Sequence, residues 1–350
     1  MSMNSFQRQG LVCVLLVAAL AICLMLSVEP GFYLSASGLT ISSLVLPWDP
    51  SWSYLSAFAV AAVNSLAAGL IAMLLATLIG VGIGMLGTLA NPTARLVCQL
   101  YVGAFRNVPV LFVILLFYFV GILLPSPAKA PDLMGLVFLS NRGLVLPELH
   151  LAGTTSLSLA ALVLAVGLAM WRLPVPALGR LCASLGCVLL ILWLCFDAEA
   201  PQQGKFGFRS GFEIPLEFLA LTAALSFYYA AEIAEITRGA IGAVGTGIIE
   251  AAHALGLHSF DRFRKITAPL ALRFGLPSAL NTYLVVMKAT SLGVAIGYTE
   301  LFSVARLSMS SSGRIVECLS LMGLYFLLIC GTLSLVVNHI NARLRTQDGQ

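Results

Sequence analysis

Three ionisable side chains stand where an apolar chain should carry none. Glu232 and Glu235 lie in the apolar run 216–237, three positions apart and so on about one face of a helix. Lys288 lies near the middle of the run 275–298. A charge in hydrocarbon costs several kcal/mol unless it is paired or faces water. Two roles satisfy that condition: lining or gating a path for a polar solute, or an internal ion pair that fixes helix register. In the first role, a carboxylate at Glu232 suits an α-ammonium group or a cationic side chain. Thr290 and Ser291 offer hydroxyls to such a solute or to a neighbouring helix.

Other chemistry finds little support. His253 and His258 are five residues apart with Gly256 between them, which is not the spacing of a helical metal pair, and no third ligand is near. The eight cysteines lie in or beside apolar runs with no C-x-x-C pair, and read as small buried hydrophobes. There is no G-x-x-x-x-G-K-[ST] to cradle a nucleotide's phosphates. Gly80, Gly82, Gly84 and Gly87 fall inside an apolar run, where glycine lets helices approach closely. No nucleophile, base and acid occur as a set.

The elements that hold these residues follow from composition. The chain has 350 residues, 59% hydrophobic and 10% charged. Soluble domains are about 45–50% apolar and roughly 25% charged. That excludes a soluble enzyme and a disordered chain, and leaves an all-α polytopic membrane protein. Runs near or above the ~20 residues of a membrane helix place about eight transmembrane helices at 11–28, 56–90, 108–124, 151–171, 181–196, 216–237, 275–298 and 318–339. With the N-terminus inside, the inner segments hold Arg8, Arg95, Arg106, Arg172, Arg180, Arg238, Arg262, Arg264, Lys265, Arg273, Arg343 and Arg345. Their acids are Glu250, Asp261 and Asp348, and the outer segments are net acidic. The positive-inside rule selects this orientation, with both termini cytoplasmic. Four parts result: an N-terminal span and outer loop (1–54), a first core part (55–124), an inserted helical hairpin with its flanking outer loops (125–214), and a second core part (215–345).

The inner segment 239–274 is not a plain tether. It has an amphipathic stretch (Ile248, Ile249, Ala252, Leu255), a glycine stop at Gly256, and a second helical stretch opened by Ser259 or Asp261. Pro269 interrupts the chain before the next span. The apolar side of such a helix–turn–helix needs a partner: the chain's own membrane domain, the lipid interface or a groove on another protein.

Glu250-Ala251-Ala252, then Gly256, then Ile266-x-x-Pro269 resembles the EAA loop of binding-protein-dependent ABC importer permeases. Ala234-Glu235-Ile236-Thr237-Arg238-Gly239, Lys288-Ala289-Thr290-Ser291-Leu292, Ile296-Gly297-Tyr298, Asn64-Ser65-Leu66, Tyr101-Val102 and Arg106-Asn107-Val108-Pro109 are similar to the polar amino acid branch. The resemblance covers about 55–124 and 215–345. Departures are Gly103, Glu232, Ala268, Thr282 and Val285, where this branch commonly has other residues. The extra hairpin is similar to that of the longer permeases of broad-specificity amino acid importers.

The resemblance implies a type I ABC importer permease fold in a bacterial inner membrane, moving polar or charged amino acids inward by alternating access. It implies a separate ATP-binding cassette ATPase dimer that carries ATP and Mg, so this chain binds no cofactor and is not itself an enzyme. A periplasmic substrate-binding protein and a second permease subunit, homologous or identical, are the remaining partners; no nucleic acid is involved. Glu250, Ala251, Ala252, Gly256, Ile266 and Pro269 are then the ATPase-coupling residues, and Glu232, Glu235, Lys288, Thr290 and Ser291 the translocation-path candidates. The alternative is a secondary amino acid transporter not coupled to ATP, which typically shows two similar halves with broken helices; no such internal repeat is evident. An integral-membrane enzyme lacks its catalytic set here.

Overall fold

A computed structural model describes residues 29, 31–133, 136–151, 196–204 and 207–346. The expected span 11–28, all but the first residue of 151–171, and all but the last residue of 181–196 lie outside them. Two compact units divide the chain: Met1–Val120 with Glu217–Gln350, and Gly121–Leu216.

The larger unit is helical. A short helix α1 (Gly31–Leu34) precedes α2 (Tyr54–Leu86). Ser53 caps α2, its side chain accepting the Ser56 N–H at 3.3 Å. Then come α3 (Pro92–Arg106) and α4 (Val110–Ile122). Asn91 caps α3 with Pro92 at the first helical position, where a missing N–H costs nothing. After the smaller unit come α5 (Leu216–Gly242), α6 (Thr246–Ala254), α7 (Ser259–Arg262), a π-turn over Phe263–Thr267, α8 (Ala268–Ala289), a 3-10 turn over Thr290–Ile296, α9 (Leu301–Ser312) and α10 (Ile315–Thr346).

Among the described residues, four helical stretches are long and apolar enough to cross a membrane: Tyr54–Leu86, Leu216–Gly242, Ser259–Ile296 and Ile315–Ile340. The run at 108–124 differs from a plain span. Its helix α4 has only 13 residues, about 20 Å at 1.5 Å per residue, short of a ~30 Å hydrocarbon core. It joins α3 through a 99° bend at Asn107–Pro109. The residue before a proline avoids the α region, so Val108-Pro109 breaks the helix. The run at 275–298 starts earlier than its hydropathy suggests, because α7, the π-turn and α8 are continuous. Pro269 therefore does not interrupt the chain. It sits in the first turn of α8, where the widened turn before it accommodates the absent N–H.

Close helix approach explains the glycines. A Cβ on Gly80 would stand 2.6 Å from Ile233 Cβ, and one on Gly84 would stand 2.6 Å from the Ala234 carbonyl oxygen. The backbones of α2 and α5 thus touch along this edge, while Gly82 faces open space. Helix α5 is the most enclosed of the apolar helices, with 67% of its span buried against 22% for α10. Cys98 and Val102 of α3 pack on Ala231 and Ala234 of α5, and the Tyr101 hydroxyl donates to the Phe227 carbonyl at 2.6 Å.

The smaller unit adds strands where the sequence reading placed loops: β1 (Asp132–Leu133), β2 (Val137–Ser140), β3 (Gly143–Leu146), β4 (Glu148–Leu151), β5 (Phe196–Glu199) and β6 (Phe212–Pro215). One antiparallel sheet has the order β1-β2-β3-β6, and β4 pairs with β5. Register runs from Gly143↔Pro215 to Leu146↔Phe212, and from Glu148↔Glu199 to Leu151↔Phe196. The chain entering the insert is thereby laddered to the chain leaving it. Ala130, Phe138 and Val145 form a small core with Phe208.

Candidate functional site

Helix α6 carries the Glu250-Ala251-Ala252 sequence and ends in a Schellman turn. Gly256 N–H donates to the His253 carbonyl at 2.9 Å and Leu257 N–H to the Ala252 carbonyl at 3.2 Å. Gly256 takes φ +75°, with open space where a Cβ would lie. Glycine is needed there for backbone conformation, not for contact. The next helix is capped by His258, whose Nδ1 accepts the Phe260 N–H at 3.5 Å, so Ser259 is the first helical residue and not the cap.

One side of this helix pair is fixed to the chain's own helices. Ala240, Val244 and Ala271 cluster with Ile249 and Leu270 partly buried against them, and Ala252 is 2% exposed. The other side is open: Ala251 and Gly256 are exposed, with Ile248, Leu255 and Phe260 presenting apolar surface. Ala251 and Ala252 therefore have opposite surroundings. Ile266 is half-buried in the π-turn and Pro269 exposed at the start of α8. The coupling candidates lie on one continuous stretch leading into α8.

The path candidates separate. Glu235 pairs with Arg238 on its own helix, Oε2 to Nη2 at 2.7 Å. It satisfies its charge locally, and Lys288 is not its partner. Glu232 is half-buried and Lys288 exposed, and neither side chain makes a hydrogen bond or ion pair among the described residues. Thr290 is fully buried and donates to the Met287 carbonyl at 2.8 Å, which removes it from any open path in this structure. Ser291 is half-buried and donates to the Lys288 carbonyl at 2.8 Å.

Sequence reasoning passed over Ser278 and Asn281. Both are exposed on α8 and, with Val285 and Lys288, follow the 3–4–3 spacing of one helix face. The periodicity was available in the sequence; what hid it was the rest of α8, whose other faces are apolar. Glu300 was also not singled out. It is fully buried, and its carboxylate accepts the Phe302 N–H at 2.7 Å and the Ser303 N–H at 2.8 Å, capping α9.

Asn64 joins three segments from inside α2. Its Nδ2 donates to the Ser42 and Thr299 carbonyls at 3.0 and 2.9 Å, its Oδ1 accepts from Ser43 at 3.2 Å, and its carbonyl accepts from the Tyr298 hydroxyl at 3.1 Å. Ser65 accepts the Leu301 N–H at 3.1 Å.

Four helical stretches long and apolar enough to cross a membrane are those of a polytopic membrane protein. The family model for the inner membrane component of binding-protein-dependent transport systems matches residues 76–346. The chain belongs to that family and is a multi-pass inner-membrane protein. It is 33% identical over 336 residues to the general L-amino acid transport system permease protein AapQ of Rhizobium johnstonii, covering 90% of this chain and 83% of that one. It is 34% identical over 326 residues to the putative amino-acid ABC transporter permease protein YhdX of Escherichia coli K12, covering 88% and 83%. In fold it is similar to a chain in the crystal structure of an amino acid ABC transporter with histidines, with TM-score 0.51, 19% identity, and coverage of 83% of this chain and 95% of that one.

Proposed function

We propose that this chain is the permease subunit of an ATP-driven, binding-protein-dependent importer that carries polar or charged amino acids into the cytoplasm. ATP hydrolysis belongs to a separate ATPase pair, which carries the ATP and Mg. A periplasmic binding protein delivers the substrate, and a second permease subunit completes the path. The relatives' transport of amino acids supports the substrate class.

The observation that carries the coupling role is the two-sided helix α6. Its inner side is packed on the base of α5 and α8, while Ala251, Leu255 and Phe260 remain open. Force applied at Phe260 enters the one helical stretch of 38 residues, Ser259–Ile296, that contains α8, and force on α6 reaches α8 through the packing of Ile249 on the cluster that includes Ala271. Along that stretch from Ser259 lie Asn281 and Lys288, about 33 and about 44 Å away at 1.5 Å per residue. A rigid rod of that length tilts its far end when its near end is displaced, which is the motion alternating access requires.

The stripe Ser278, Asn281 and Lys288 supplies the polar wall. An exposed cation on a membrane helix is stable only where it meets water or a partner. Lys288 suits a substrate carboxylate and Glu232 an ammonium or cationic side chain. Glu235 holds Arg238 in place and serves structure. In this reading α6 faces the cytoplasm. The test is copurification: the chain should bring down an ATPase, and Ala251→Phe should release it while the chain remains inserted and folded. An Ala251→Phe chain that retains the ATPase and full uptake would refute the coupling role.

A further inference from the structure

Between the inner halves of α2, α5 and α8 lies a slot of about 180 Å³. Val81, Met85, Ile236, Leu272, Leu276 and Ala279 contribute apolar wall. Thr77 and Tyr283 close one end, joined hydroxyl to hydroxyl at 2.6 Å, and Thr77 donates onward to the Met73 carbonyl at 2.7 Å. Those hydroxyls are occupied with each other and with the backbone, so a polar solute or a water finds few partners in the slot. Its natural content is hydrocarbon.

The slot is separate from the polar stripe. At about 100° per residue, Leu272, Leu276, Ala279 and Tyr283 lie on roughly the opposite face of α8 from Ser278, Asn281 and Lys288. Leu272 is 65% exposed and Met85 38%, so the slot opens outward. From Thr77 to the end of α2 at Leu86 is about 14 Å, close to half the ~30 Å hydrocarbon core. That is the reach of one acyl chain in one leaflet.

The segment that reaches the open end is basic in sequence. Phe263 lines the slot there and is flanked by Arg262 and Arg264, with Lys265 next. The neighbouring acid Asp261 is engaged by Lys265 at 3.2 Å. The guanidinium groups of Arg262 and Arg264 make no hydrogen bond or ion pair among the described residues. Guanidinium forks match phosphate oxygens in geometry and charge.

We propose that this slot holds one acyl chain of an anionic phospholipid of the inner leaflet, with its headgroup phosphate held by the guanidinium of Arg262 or Arg264. The proposal rests on the reading that α6 and α7 face the cytoplasm. A lipid seated there wedges α2 from α8 beside the coupling segment, so the stiffness of the α8 rod depends on the leaflet's charge.

The test places the full chain in nanodiscs with phosphatidylglycerol bearing a photoreactive group on its acyl chain, compared with phosphatidylcholine bearing the same tail. Phosphatidylglycerol should label peptides containing Met85 and Leu272 about tenfold more than phosphatidylcholine does. Ala279→Phe should remove most of that label and leave the label near Leu335 and Val336 unchanged. Arg262→Gln with Arg264→Gln, which leaves the slot intact, should equalise the two lipids. Equal labelling of the slot by both lipids in the parent chain, or no enrichment over α10, overturns the proposal, as does a cross-link from Leu272 to a second permease subunit that excludes lipid. Membrane-impermeant maleimide on Arg264→Cys in sealed cells reports the orientation independently. Reaction from outside defeats the functional reading itself, whereas protection combined with lipid-indifferent labelling defeats only the lipid site.

Discussion

Asn64 and Thr299 are 235 positions apart, and the Asn64 amide donates to the Thr299 carbonyl at 2.9 Å. The same amide reaches the Ser42 carbonyl at 3.0 Å, and the Thr299 hydroxyl also donates to it. Ten residues separate Asn64 from the start of α2 at Tyr54, about 15 Å along the helix. The segment before α2 and the turn after α8 are thus pinned together well inside the unit by one side chain.

Asn64→Leu keeps the bulk and removes both donors, leaving the Thr299 carbonyl short of a partner while the Ser42 carbonyl keeps the Thr299 hydroxyl. A buried group so stranded costs about 1–3 kcal/mol. The variant should unfold at a lower temperature in detergent, whereas Tyr298→Phe, which removes one hydrogen bond to the Asn64 carbonyl, should shift it less. Thermal unfolding followed by tryptophan fluorescence separates them.

The glycines of α2 make a sharper comparison. Gly80→Leu and Gly84→Leu drive a side chain into the α5 backbone, and overpacking costs typically 1–3 kcal/mol or more. Gly82→Leu enters open space. Fluorescence-detected size exclusion should show loss of the monodisperse peak for the first two and a parental profile for the third.

The two alanines of α6 should respond differently to the same substitution. Ala252→Phe meets the chain's own interior and should lower stability. Ala251→Phe leaves stability near parental, because the side chain is exposed, and should abolish uptake. Gly256→Asp forces a residue with a Cβ into left-handed φ, at about 1–2 kcal/mol, and should also abolish uptake while membrane insertion persists. Uptake assays beside thermal unfolding test all three.

Accessibility tests the polar stripe. In a chain freed of its native cysteines, Ser278→Cys, Asn281→Cys and Lys288→Cys should react with a hydrophilic maleimide in the assembled transporter. Thr290→Cys, fully enclosed, should not. Reaction at Thr290→Cys together with inert Asn281→Cys would remove the stripe from the path.

Much of the described membrane part was legible because hydrocarbon imposes a simple rule: the run 318–339 falls wholly within α10, and 56–90 follows α2 as far as Leu86. Gly256 was legible because a glycine after an amphipathic stretch has one common use. The short sheets were not. Strands of two to four residues give too little alternation to outweigh a loop reading, although Ser140-Asn141-Arg142-Gly143 is a turn sequence between apolar triplets. Thr290 could not be placed because the chain changes from α to 3-10 pitch at that residue, which rotates every later side chain away from the position a continuous helix gives. The partner of Glu235 was not legible either: an arginine one turn along the same helix lies beyond the apolar run and competes with any charge on another helix.

The central claim is that a separate ATPase drives solute through this chain by acting on α6. The most direct measurement is amino acid uptake into proteoliposomes holding the permease, its copurified ATPase and the binding protein, with the proton gradient collapsed. Uptake should require ATP and the binding protein, and should vanish with Ala251→Phe. Uptake by the permease alone, driven by an ion gradient and indifferent to ATP, would contradict the account.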